Sequence, residues 1–194
     1  MDYEFIEWYK LSLDIRSDLL TVTEGIRSGA NVELCKLEKR ESQKKLLEFC
    51  LKRFGLVFRV RGDNYYISKS KLLLVRLWSG EIKTGEFLGY PKCCVAAFEE
   101  GPNAMILSSD ATQASAVRYC RELEDILDGE DFDEVRLYNQ HIPCSIHCVE
   151  SLKMAKKNRA VLEVNDIEAA NYLRNYNLNL VYRLAYKYPQ GKNK

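Results

Sequence analysis

The stretch LVFRVRGDNYYIS, residues 56–68, carries the clearest β signal in the chain. Two runs rich in β-branched and aromatic residues flank Gly62, Asp63 and Asn64. That pattern predicts a β-hairpin, because a short turn bearing Gly and Asn lets adjacent strands pair with the right twist. The surroundings have a different period. Upstream, Phe5, Trp8, Tyr9, Ile15, Leu19 and Leu20 recur at roughly helical spacing. Leu34, Leu37, Leu46, Phe49, Cys50 and Phe54 form a second such set, which Gly55 is placed to end. Downstream, KSKLLLVRLW (69–78) reads as a short helix capped by Ser68 and stopped at Ser79 and Gly80. The expected class is α+β: a mostly helical chain with a small antiparallel sheet, to which late apolar segments are the candidates for further strands. The N-terminal helices are expected to cover the core or to offer a homodimer surface.

At 194 residues the chain is long enough for one substantial domain with a core of its own. The expected organisation is a single domain over 1–194, with N-terminal helices in 1–55 and the cysteine-bearing portion in 56–194. Lys plus Arg number 29 and Asp plus Glu 28, so no general field for polyanions exists. The N-terminus MDYEFIEWYK is acidic where a signal peptide is basic, and no apolar run is long enough for a membrane span. A cytoplasmic location follows as the expectation, with no membrane partner. Seven cysteines cannot all pair, and a reducing compartment leaves their thiols free for chemistry.

Two segments concentrate those thiols. In EIKTGEFLGYPKCCVAAFEEG (81–101), Pro91 sits at a first helical position and Gly101 just beyond the end. HIPCSIHC (141–148) holds both histidines of the chain, and Pro143 is read as the start of a helix running to about Arg159. Between them, a helix from Ser109 or Asp110 through Leu127 is followed by VRLYNQ (135–140) as a short strand or extended lead-in, and Asp166 caps a later helix.

Helix starts favour thiolates, because unpaired amides and the positive dipole end stabilise negative charge. On a helix Cys144 and Cys148 would lie one turn apart on one face, able to converge on one ion. Cys93 and Cys94 would diverge by roughly a hundred degrees, so their joint ligation requires an irregular first turn. The candidate metal ligands are therefore Cys93, Cys94, His141, Cys144 and Cys148, a set that suits zinc. An iron–sulfur cluster is the alternative, since adjacent cysteines can serve different irons. His147 points to a different side of that helix. Cys35, Cys50 and Cys120 lie on apolar helical faces and read as core. Cys93 or Cys94 is expected within ligand distance of the same centre as Cys144 and Cys148.

Two other function classes fit parts of the sequence. One is a thiol enzyme with Cys93 or Cys94 as nucleophile and His141 or His147 as base, in which Glu86, Tyr90 and Ser145 are candidate supporting groups. The other is a nucleic-acid-binding module built on Lys153, Lys156, Lys157 and Arg159 with the basic, tyrosine-bearing tail (Arg174, Tyr182, Arg183, Tyr186, Lys187, Tyr188). The near-zero net charge favours a solvated helix face instead. A small-molecule or protein partner is expected, but neither is named by these residues.

LGYPKCCVAAF, followed some fifty residues later by HIPCSIHC, resembles the pattern of an uncharacterised, largely archaeal family known only as a domain of unknown function. The likeness covers roughly residues 86–151 and rests on Gly89, Tyr90, Pro91, Cys93, Cys94, Phe98, His141, Pro143, Cys144, Ser145 and Cys148. It implies a shared site and no particular activity. The order of paired then spaced cysteines is also loosely similar to the cysteine-rich domain of heterodisulfide reductases, which holds an iron–sulfur cluster. This chain departs from that pattern: no glycine follows the cysteine pair, and three residues rather than two separate Cys144 from Cys148.

Overall fold

A computed structural model describes residues 5–34, 40–99, 109–127, 129 and 132–187. In chain order the elements are α1 (Ile6–Tyr9), α2 (Leu13–Thr23), β1 (Gly29–Glu33), α3 (Arg40–Arg53), β2 (Val57–Arg61), β3 (Asn64–Ser68), α4 (Lys71–Trp78), α5 (Thr84–Phe87), α6 (Lys92–Glu99), α7 (Ser109–Leu127), a 3-10 turn (Glu134–Tyr138), α8 (Val149–Asn165) and α9 (Ile167–Lys187). The chain is thus mostly helical α+β with one small antiparallel sheet. It divides into two compact units, residues 1–90 with 160–172, and residues 91–159 with 173–194.

The first unit is organised on the sheet, whose strand order is β1-β3-β2. The hairpin forms as the sequence requires: Gly62 takes φ 60° in the turn, and Phe58 faces Ile67 across the ladder. The third strand comes from an unexpected place. β1 lies just before Leu34, between the two stretches of helical spacing, and pairs Ala30 with Ile67. The late apolar segments are helical in α9 and add no strand. GANVE is too short for a period to emerge, and its pairing to the central strand β3 makes it extended.

Alternation along β3 separates two layers. Ile67 and Tyr65 are buried on one face, where the Tyr65 hydroxyl donates to Glu48 of α3 at 2.7 Å. On the other, Tyr66 meets Trp78 and Phe87 edge-on, beside a cluster of Leu74, Ile82, Phe87 and Leu88. Phe87 passes so close to β1 that a Cβ on Gly29 would lie 2.6 Å from its ring, which is why glycine stands there.

A buried polar knot holds the unit's N-terminal helices. Arg16 on α2 grips Asp166 through Nε at 2.7 Å and Nη2 at 2.6 Å, and the Trp8 indole donates to the same carboxylate at 2.8 Å. Asp166 also accepts from the Ala169 amide at 3.0 Å, so it is the N-cap expected from sequence with two further duties. Ser70, rather than Ser68, caps α4 by accepting from the Leu73 amide.

The second unit packs Tyr119, Cys120 and Leu123 of α7 against Leu137 and Val181. Cys50 in the first unit and Cys120 in the second are buried core residues, while Cys35 lies outside the described residues. The VRLYNQ segment is not a strand. Asp133 caps its first turn by accepting from the Val135 amide, and its carbonyls are taken by side chains: Asn158 donates to Tyr138, and Asn177 to Leu137 and Asn139. With its carbonyls engaged by neighbouring helices, no partner strand is needed.

Candidate metal centre

The four clustered thiols, Cys93, Cys94, Cys144 and Cys148, all belong to the second unit. Pro91 stands one residue before α6 rather than at its first helical position, and its carbonyl accepts from both Cys94 and Val95, at 2.9 and 3.0 Å. The Cys94 bond spans three residues and the Val95 bond four. This tightened first turn is the irregularity that adjacent cysteines need, and their Sγ atoms stand 4.0 Å apart.

The other segment departs from expectation. No helix starts at Pro143; residues 141–148 form a loop, and α8 begins at Val149. Tertiary hydrogen bonds explain this. The Arg136 guanidinium donates to the Ile146 carbonyl, which is therefore not given to a helical ladder, and the Cys144 amide points at Cys94 Sγ, 3.4 Å away. The Cys148 amide closes a turn on Ser145 at 3.2 Å, and its carbonyl accepts from Leu152 at 3.0 Å, which makes Cys148 the N-cap of α8. Only one of the two thiol segments is a proline-led helix start.

The loop nonetheless brings the thiols together. Cys93, Cys94, Cys144 and Cys148 place all four sulfurs within 4.8 Å of one another. Cys148 Sγ is 3.6 Å from both Cys93 Sγ and Cys94 Sγ. Cys94 and Cys148 are buried, Cys144 is half-buried, and Cys93 is exposed. Such a four-cysteine group could hold a metal ion.

His141, the remaining ligand candidate, is not in the four-sulfur group. Its Nε2 lies 2.8 Å from the Ser151 hydroxyl, which lies 3.1 Å from Cys94 Sγ. His147 is exposed. Ser151 went unnoticed in the sequence. It sits three residues after Cys148, the position whose amide a helix N-cap normally receives, and that spacing is the signal that could have found it. Among the other candidates, Ser145 supplies the turn carbonyl. In the first unit, Glu86 accepts from the Lys83 amide at 2.9 Å, and the Arg27 guanidinium lies over the Tyr90 ring.

Electrostatics make the sulfurs unequal. Burial opposes ionisation of Cys148, but the hydroxyl and backbone N–H of Ser151, with Cys144 and Cys93, outweigh it and bring the thiol down to about 7. Burial, then the Cys148 side chain, pushes Cys144 up to about 11. Burial also pushes Cys94 up, against the pull of the Ser151 hydroxyl and the Cys144 amide. Thiols this close do not ionise together, since each thiolate penalises the next. A cation among them reverses that logic.

Fold and site together define a mostly helical α+β protein with a four-cysteine cluster suited to a metal ion. The chain belongs to the family described as "Protein of unknown function (DUF483)", whose model matches residues 45–175, more than half of its length, with all four cysteines and Ser151 inside. Among curated proteins and among solved structures, nothing matches it. No helix among the described residues is long and apolar enough to cross a membrane.

Proposed function

We propose that this chain is a zinc-binding protein, with Cys93, Cys94, Cys144 and Cys148 as the four ligands of one tetrahedral centre. The sulfur spacing carries this reading. Zinc–sulfur bonds of about 2.3 Å place the sulfurs of a tetrahedral site about 3.8 Å apart. The separations of 3.6, 3.6 and 4.0 Å among Cys93, Cys94 and Cys148 bracket that value. A cluster of several irons needs its cysteine sulfurs spread around a core of many atoms, so the same spacing speaks for a single ion.

The surroundings support the assignment. Ser151 and the Cys144 amide direct hydrogen bonds at the sulfurs, and His141 holds the Ser151 hydroxyl, the kind of outer support that orients ligands. The ion would join the first turn of α6 to the 141–148 loop. The role follows from that placement: a loop with few helical bonds of its own is held by metal–sulfur bonds, so metal binding and folding of this unit are coupled.

Elemental analysis of anaerobically purified chain tests the proposal. The expected result is a colourless protein with one zinc per chain, lost on Cys144→Ser. A brown protein with iron and labile sulfide would replace it with the cluster reading, and a metal-free protein would remove both.

A further inference from the structure

We propose that Cys93 is a metal-activated nucleophile, the one sulfur of the centre placed to accept an alkyl group from a soft, unhindered electrophile. The inference rests on the tetrathiolate reading and adds a reactivity to it.

Two asymmetries favour Cys93, one against all three other sulfurs and one against Cys94 and Cys148 alone. The first is access. Cys94 and Cys148 are buried and Cys144 is half-buried, whereas Cys93 is exposed at the start of α6. The second is hydrogen bonding. Cys94 Sγ lies 3.1 Å from the Ser151 hydroxyl and receives the Cys144 amide at 3.4 Å, and the Ser151 backbone N–H serves Cys148. The contacts of Cys93 Sγ among the described residues are the sulfurs of Cys148 and Cys94, at 3.6 and 4.0 Å.

These differences bear directly on reactivity. A bound dication keeps its cysteines as thiolates at neutral pH, which is the nucleophilic form. Four thiolates around a dication leave net negative charge on sulfur, and converting one to a neutral thioether relieves it. Hydrogen bonds draw electron density from a sulfur lone pair and lower its nucleophilicity, so the sulfurs served by Ser151 are protected. Cys93 has the electron density and, unlike the half-buried Cys144, the open approach.

The step balances without a further reactant. A lone pair on Cys93 Sγ forms a bond to the electrophilic carbon, and the bond from that carbon to its leaving group breaks with the pair departing on the leaving group. No proton moves and nothing is oxidised. The product is an S-alkyl Cys93, a weaker ligand, and the centre carries one negative charge fewer.

The experiment uses the full chain loaded with zinc and a limiting amount of methyl iodide. Alkylated peptides are mapped by mass spectrometry, with fragment ions that separate Cys93 from Cys94, while zinc release is followed in parallel with a chromophoric chelator. The expected result is methylation at Cys93 at least about tenfold faster than at Cys144, preceding any zinc release. Cys93→Ser should abolish the fast phase, and if that variant does not fold, the wild-type map still decides. Equal rates at Cys93 and Cys144, or labelling that only tracks zinc loss, would overturn this inference while leaving the zinc site intact. A chain that binds no ion would overturn both readings.

Discussion

Cys93 and Cys148 lie 55 positions apart in sequence, yet their sulfurs stand 3.6 Å apart. The contact joins the first turn of α6 to the N-cap of α8, two positions that no shared strand or helix connects. An ion that binds this pair, with Cys94 and Cys144, closes a long loop of chain and favours the folded state by mass action.

Thermal stability should therefore depend on zinc. At free zinc about 100 times the dissociation constant, the stabilisation is about 2.7 kcal/mol. It should vanish with a strong chelator and in Cys148→Ser. Superimposable melting curves with and without chelator would contradict a folding role for the ion.

Ser151→Ala should weaken zinc binding by about 10- to 100-fold while leaving one site per chain. The hydroxyl supports Cys94 at 3.1 Å and is held by His141 at 2.8 Å, so His141→Ala should act in the same direction and less strongly. Chelator competition measures both. Unchanged affinity in the two variants would reduce this pair to packing.

In the first unit, Asp166→Ala should cost about 3 kcal/mol, the low end for a broken buried pair, because it leaves the buried Arg16 guanidinium only the exposed Glu168 carboxylate, 3.1 Å away. The side chains of Arg16 and Asp166 are 3% and 1% exposed, so water does not readily replace the lost carboxylate. Asp166→Asn, which keeps an acceptor for the Trp8 indole, should cost less. Urea unfolding followed by tryptophan fluorescence provides the comparison, and a cost below about 1 kcal/mol for the alanine variant would refute the argument.

Gly29→Ala should destabilise by about 1–3 kcal/mol, since the added methyl meets the Phe87 ring and the tightly packed core must shift. A smaller ring-site residue should relieve the ring part of the clash while the Phe87 carbonyl, 2.9 Å from the added methyl, stays: Gly29→Ala combined with Phe87→Leu should cost less than the sum of the two single changes. Strict additivity in urea unfolding would show that the two positions do not touch.

The hairpin, the start of α6, the α7 helix and the cap at Asp166 were all legible from local chemistry. A turn glycine, a proline at a helix start and a carboxylate before an apolar run act on the few residues beside them. β1 was not legible, because five residues carry too little periodicity and their extension depends on a partner strand. The helix expected at Pro143 failed for a related reason. Arg136 takes the Ile146 carbonyl, so a side chain outside the segment outbids a local helical bond, while the Cys144 amide turns to Cys94.

For the site, residue types and their two clusters already pointed to a metal, since thiols paired with prolines and histidines in short segments are ill explained by packing. Which of those residues share a centre depended on chain folding. Four sulfurs converge within 4.8 Å because a tightened turn aligns Cys93 with Cys94 and a non-helical loop carries Cys144 and Cys148 to them. The same loop leaves His141 to support Ser151 instead of joining the sulfurs. Sequence specifies which groups are available and what each prefers nearby. Distances between groups some fifty residues apart arise from the packing of the whole unit, in which many weak contacts together outweigh any local preference.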